Sequence, residues 1–358
     1  MYGSHGVLDQ LRLITDQTVL VYGEDTLLAD FRNSLDAHNA LVDDMVGPLV
    51  ETTTDRIRRY GTDARMDMIE IDEYTRADAQ KAQPAGSDIG FPLKGYQISL
   101  QWTRRFLQVS TPADLAIAMI AAQRADVVNV RRAVQRALFT PTNNLTYKDR
   151  MIDGVTLPVR ALLNADGAPI PEDEFGNTWN GASHSHYLGT NSLAAADINA
   201  ALDTVIEHGV GGSLLMYINR AQEAAVTGFA NFEPYRQPLL TPGGGSTDPV
   251  VDGGQAIRPF DVNNRPIGVW NGNVVVWVKA WVPASYILVL DTDPDRKVLV
   301  RRRRAATNLD VFGLVANDEN YPLRAETMER EFGIGVWGRE NAAVLYTGNA
   351  TYAAPTIS

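Results

Sequence analysis

Apolar residues at helical spacing open the readable part of the chain. Between residues 25 and 60, Leu27 and Leu28 are followed at spacings of three and four by Phe31 and Leu35, with Leu41 and Met45 further on, which predicts a largely helical segment. Gly47-Pro48 interrupts it, because a residue before proline is pushed out of the α region. One helix, a break and a second short piece ending at Gly61 are therefore expected. Such a stretch does not form a compact subdomain by itself, and it reads as an arm.

The period then changes from helix to strand. Tyr96, Ile98, Leu100 and Trp102 alternate with Gln97, Ser99 and Gln101, the signature of a half-buried strand, and residues 66–74 share that chemistry. A polar, Gly- and Pro-containing stretch at 76–95 separates them, so residues 66–74 and 96–109 are expected to form a long two-stranded ribbon. A lone ribbon is marginal in water and must finish its packing on something else, such as a neighbouring subunit. Thr111-Pro112-Ala113-Asp114 next carries the marks of a helix start, with an N-cap, proline in the first turn and an acid behind it. Ile120, Val127, Val130, Val134 and Leu138 continue it as one stripe to Thr140-Pro141, a helix roughly 40 Å long at about 1.5 Å per residue.

Residues 143–189 are loop-rich, with turns at Asp153-Gly154, Asp166-Gly167 and Asn180-Gly181. A helix over 192–208, a strand over 214–218, a short helix over 219–229 and a loop over 241–254 follow. Asn271-Gly272 between two β-branched runs predicts a hairpin, and further strands are expected at 286–290, 298–300 and 329–345. No run of alternating β and α units supports a doubly wound parallel sheet, so the fold class is α+β.

Composition narrows the function classes. The chain has 358 residues, no Cys and a formal net charge of −11, with hydrophobic residues at 45%. It buries a core, and its length suits two domains or one elaborated domain. Cysteine nucleophiles, disulfides and thiolate metal sites are excluded. The acidic balance argues against tight wrapping of nucleic acid, which needs clustered Lys and Arg. No signal peptide or uncharged apolar run of membrane-spanning length is present.

Candidate chemistry is thin. His184 and His186 lie on one side if their segment is extended, but no third ligand can be placed, and two histidines in a Gly/Ser/Asn-rich loop are usually solvated. The acidic groups at 72–73, 172–174 and 318–319 read as solvated faces, and the glycines at 243–245 lack the Lys-Ser/Thr of a phosphate loop. No catalytic residue, cofactor or metal site is assigned, and the chain is read as a non-enzyme. Arg301, Arg302, Arg303 and Arg304 form a run of four in an acidic protein. Alternate side chains of a strand face opposite ways, and the run is read as pairing with acids across a subunit interface. Trp270, Trp277, Trp281 and Trp337 are read as core.

The closing segment carries a family likeness. VPASYILVLDTD at 282–293, KVLVRRRR at 297–304 and ETMEREFGIGVWGRENAAVLYTG at 326–348 resemble the last part of major capsid proteins of tailed bacteriophages, which have the Hong Kong 97-like fold. The order of elements is similar too. The resemblance implies an N-terminal arm over 1–60, an extended loop over 61–110, a spine helix of the peripheral domain over 111–144, an axial domain over 145–320 and peripheral C-terminal strands over 321–358.

It further implies a structural protein of the virion, assembled in the host cytoplasm as pentamers and hexamers around packaged DNA, without sequence-specific binding to that DNA and without a membrane. The extended loop, with Lys81, Asp88, Phe91 and Lys94, would lie across an adjacent subunit, so deletion of residues 77–94 is expected to leave a foldable subunit that makes no stable shell. About 24 residues precede the arm helix, which implies a separate scaffolding protein or a chain already matured. Portal and decoration proteins are further partners of such shells, and Lys81 or Lys94 with Asn341 or Asn349 are candidates for the isopeptide links of some family members. An encapsulin-like compartment and a metal-dependent enzyme using His184 and His186 are the alternatives.

Overall fold

The computed structural model describes residues 6–61, 68–74, 78, 86–102, 104–173, 176–209, 211–234, 263–293, 295–304, 315–319 and 324–357. Its axis is the helix Pro112–Phe139. Thr111 Oγ1 accepts from the Asp114 backbone N–H while Asp114 Oδ2 accepts from the Thr111 N–H at 2.9 Å, so two otherwise orphaned donors at the helix start are satisfied reciprocally. The apolar stripe of this helix serves two cores. Its first half, including Leu115, Met119 and Ile120, packs with Leu8, Leu11, Leu27, Phe31 and Leu35 from the N-terminal helices Val7–Leu11 and Glu24–Val46. Its second half, including Val130, Val134, Leu138 and Phe139, packs on sheet residues that include Leu288 and Val344.

That sheet has seven strands in the order Tyr187–Gly189, Ala342–Tyr346, Tyr286–Asp291, Leu214–Ile218, Val274–Lys279, Asn264–Trp270 and Phe232–Pro234. The strand Tyr286–Asp291 is buried at every position. Successive side chains of a strand point to opposite faces. Leu288 and Leu290 accordingly face the spine helix, while Ile287 and Val289 join Ile198, Leu202 and Val205 of the helix Ala195–Ile206 in a separate core. A continuous apolar run is what such a two-sided strand requires.

A second sheet of five strands is organised by the 13-residue strand Arg324–Val336. Along its length this strand pairs antiparallel with Lys94–Trp102, Val315–Glu319 and Leu299–Arg302, and the last of these pairs parallel with Val50–Thr53. Two small ribbons, Ile57–Tyr60 with Ser87–Gly90 and Asn144–Lys148 with Thr156–Val159, complete the pairing. Buried polar groups lock the N-terminal helix in place: His38 Nε2 lies 2.8 Å from Asp126 Oδ2, and Arg330 Nε lies 3.0 Å from Asp126 Oδ1. Among the described residues no helix is long and apolar enough to cross a membrane.

Several expectations are corrected. The described residues 68–74 form no strand, and residues 104–109 are a helix, Arg104–Val109. The alternating positions 96–102 do form a strand, but its partner is Arg324–Val336, because Ile98, Leu100 and Trp102 find their apolar cover in the chain's own N-terminal core. After Gly47-Pro48 the chain extends as Val50–Thr53 and Ile57–Tyr60, where β-branched Val50, Thr52, Thr53 and Ile57 favour strand over helix. The closing strand Ala342–Tyr346 belongs to the seven-stranded sheet beside Tyr286–Asp291, so the segment 321–358 contributes to both sheets. The loop expected at 241–254 lies outside the described residues.

Candidate functional site

The arginine run is an internal structure. Arg301 and Arg302 lie in a strand, Leu299–Arg302, that is buried throughout. Arg302 donates from Nη2 to Asp149 Oδ2 at 2.8 Å and from Nη1 to the Phe91 carbonyl at 2.8 Å, and Arg56 donates to the same Asp149 oxygen at 3.2 Å. Arg301, on the opposite face, donates to Asp43 Oδ1 at 2.7 Å. Arg304 holds both oxygens of Glu331 at 2.8 and 2.9 Å, and the Arg303 backbone N–H donates to the Thr53 carbonyl. The intersubunit pairing expected of Arg301, Arg302 and Arg304 is therefore replaced by pairing within the chain. Acids from three distant segments reach the strand from both of its faces.

The other expected interface residues divide. Phe91 is fully buried in a small core with Tyr60, Ile89 and Val300, its ring edge-on to Trp337 at 6.2 Å, so it packs the subunit and not a neighbour. Asp88 is exposed and pairs with Arg59 at 3.3 Å across the small ribbon, and Lys94 is exposed at the start of its strand. Lys81 lies outside the described residues. Asn341 is buried and donates from Nδ2 to the Arg296 carbonyl at 2.8 Å, whereas Asn349 is exposed. Large apolar side chains are nevertheless open to solvent over residues 68–74: Met68 and Tyr74 almost completely, Ile69 and Ile71 by about half. Trp270 is core as read; Trp277, Trp281 and Trp337 are only partly covered.

A different cluster gathers where the sequence offered only two ligands. The turn beginning at Asn180 sets His184, whose backbone N–H donates to the Asn180 carbonyl, and the His186 N–H donates to Leu163. The third ring is His208, just beyond the helix Ala195–Ile206 and before Gly209, whose φ of 84° ends the turn. The three Nε2 atoms lie 3.1 Å (His184 to His186), 2.9 Å (His184 to His208) and 3.2 Å (His186 to His208) apart. His186 Nδ1–H donates to the Ala342 carbonyl at 2.7 Å, and the Trp179 ring lies 4.1 Å from the His208 ring.

Burial pushes all three imidazoles below their ordinary pKa, His208 to about 3, so they are neutral at pH 7. Among the described residues no other group of His, Cys, Asp and Glu converges in this way. No spacing rule finds His208, which is 22 residues from His186. The available signal was scarcity, since the chain has five histidines and three of them meet.

No protein-family model matches the chain, and no curated protein matches it. Solved structures do. A structure titled Mycobacterium phage Patience matches with a TM-score of 0.66 at 21% identity, over 93% of this chain and 90% of that one. Looser likenesses are to the capsid of an empty GTA particle computed with C5 symmetry (TM-score 0.46, 14% identity, 86% and 90% covered) and to an encapsulin complex from Synechococcus elongatus (TM-score 0.43, 13% identity, 87% and 90% covered). These two are too distant to carry a conclusion. The first, running nearly end to end, shows the fold of this chain, which is Hong Kong 97-like.

Proposed function

We propose that this chain is the major capsid protein of a tailed bacteriophage, a subunit that self-assembles into a closed shell around packaged DNA and performs no catalysis. The observation that carries the reading is the nearly full-length likeness in fold to a structure titled as a phage. It is supported by the apolar side chains that the described part of the extended loop, 68–74, leaves open to solvent, since a chain that works in copies has neighbours to cover them. In this reading residues 1–60 are the arm, 61–110 the extended loop, 111–144 the spine, 145–320 the axial domain and 321–358 the closing peripheral strands. Asp88 and Lys94 remain the contact residues proposed within the loop, with Lys81. Scaffolding, portal and decoration proteins are proposed partners, the virion is the proposed location, and the host cytoplasm the proposed place of assembly.

The deletion of residues 77–94 does not test this reading cleanly, because it removes Ile89 and Phe91 from the subunit's own core. Electron microscopy beside a sizing column does. Closed polyhedral shells, or rings of five and six subunits, support the reading, and their contents then separate a genome container from an encapsulin-like compartment with protein cargo. A chain that stays monomeric alone and with its genomic neighbours overturns it.

A further inference from the structure

The histidine triad poses a problem of protons. Each Nε2–Nε2 separation, 2.9 to 3.2 Å, is of hydrogen-bond length, and each such edge needs one N–H and one lone pair. A neutral imidazole carries a single N–H. His186 commits its own through Nδ1 to the Ala342 carbonyl, so its Nε2 offers only a lone pair. If His184 and His208 both donate to that lone pair, two N–H groups face one another across the shortest edge, 2.9 Å. If either ring turns its proton outward, two lone pairs face one another at 3.1 or 3.2 Å. No arrangement of neutral rings satisfies all three edges. A cation that takes three lone pairs at once removes the conflict.

The dimensions fit such a cation. With metal–nitrogen bonds of about 2.0–2.1 Å, ligand nitrogens stand about 2.9 Å apart at right-angled coordination and about 3.3 Å apart in a tetrahedron, which brackets the observed edges. Imidazole sets select zinc, copper, nickel or cobalt over calcium and magnesium. The bond from His186 Nδ1–H to a main-chain carbonyl is the outer support that orients a ligating ring and fixes its tautomer. Glu207 Oε1 lies 3.5 Å from His184 Nε2 and 3.9 Å from His208 Nε2, close enough to complete the shell or to accept a proton from a metal-bound water. The nearest guanidinium groups do not oppose a dication unscreened, since Arg339 is paired with Asp166 and Arg296 with Glu340.

We propose that His184, His186 and His208 bind one zinc-class transition-metal dication through their Nε2 atoms. The metal clamps the loop that leads into the edge strand Tyr187–Gly189 to the turn that ends the helix Ala195–Ile206, through ligands 22 and 24 positions apart in sequence. It is a structural clamp, and it does not rest on the shell-building reading.

The test uses the full chain without a histidine tag, stripped with a chelator and dialysed. Titration with Co²⁺ is expected to give one ion per chain, with the visible absorption of nitrogen-ligated cobalt, displaced by one equivalent of Zn²⁺. The thermal midpoint of the stripped chain is expected to rise with the Zn²⁺ concentration, since only the folded chain holds the site. His184→Gln replaces a ring that is 15% exposed and His208→Gln one that is 3% exposed; each is expected to keep the wild-type circular dichroism while weakening Co²⁺ binding by at least about tenfold. The variant Trp179→Phe should keep the cobalt stoichiometry but lose part of the fluorescence quenching by Cu²⁺, because the Trp179 ring lies against His208. The proposal is overturned if the folded, stripped wild-type chain takes up no stoichiometric Co²⁺ or Zn²⁺ at micromolar concentration, or if folded His184→Gln and His208→Gln both bind as tightly as wild type. Either result leaves the electron-microscopy test of the shell untouched.

Discussion

Arg302 and Asp149 show what a single side chain does in this subunit. Both are almost wholly inaccessible, and their bond ties the five-stranded sheet to the loop that follows the strand Asn144–Lys148. Removing one partner of a buried pair leaves the other charged and uncompensated. Arg302→Ala should therefore lower the subunit's unfolding free energy by about 3 kcal/mol in urea, the low end of the range because Arg56 still reaches Asp149. A loss below about 1 kcal/mol would mean that Arg56 alone neutralises the site. Lys279 makes a pH prediction. Its ammonium lies 4.4 Å above the Trp277 ring, and burial pushes its pKa down to about 8. The folded state thus releases a proton that the unfolded chain keeps until about pH 10.4, so stability should rise with pH through that window. Lys279→Gln should flatten that part of the curve, measured as urea midpoint against pH. The arginine run was legible in the sequence as something in need of acids, but not whose acids. Asp43 is 258 positions from Arg301 and Asp149 is 153 from Arg302, and only the folded path brings them together.

Elements with a local cause were readable, and elements with a distant cause were not. The spine helix announces itself through Thr111, Pro112 and Asp114, which act within one turn of one another. Thr111→Ala should cost about 1 kcal/mol and fray the first turn, visible as faster amide exchange there. The hairpin strands Asn264–Trp270 and Val274–Lys279 were readable for the same reason, since Asn271 and Gly272 both hold the positive φ that its turn demands. The strand Lys94–Trp102 is legible as a strand by its alternation, yet its partner Arg324–Val336 is not, because alternation says which face is apolar and not what covers it. Tyr286–Asp291 buries both faces, and the two layers make different demands on it. Leu288→Ala, on the spine side, should cost about 2–5 kcal/mol by leaving a cavity against the helix, read from the denaturation midpoint of the subunit.

At the scale of the whole molecule, shell building predicts that some apolar surface matters only in the presence of copies. Ile71→Asp with Tyr74→Asp changes two exposed side chains of the extended loop. The double variant should fold with unchanged circular dichroism yet yield few or no closed particles on a sizing column, and normal yields of particles would remove the loop from the proposed contacts. The architecture as a whole was legible through the order of elements and the closing segment. The histidine triad was not, because its three rings are brought together by the packing of a loop against a helix end. The strand Arg324–Val336 has a consequence in time. Gln97 donates from its side chain to Glu329, 232 positions later, and the residues of Lys94–Trp102 wait for partners made similarly far along the chain. Translation at about 5–20 residues per second makes that wait tens of seconds long, in which an open β edge is sticky to every other nascent chain. A chain that stops before Arg324 keeps that edge open, so the strand Arg324–Val336 sets when the five-stranded sheet can close.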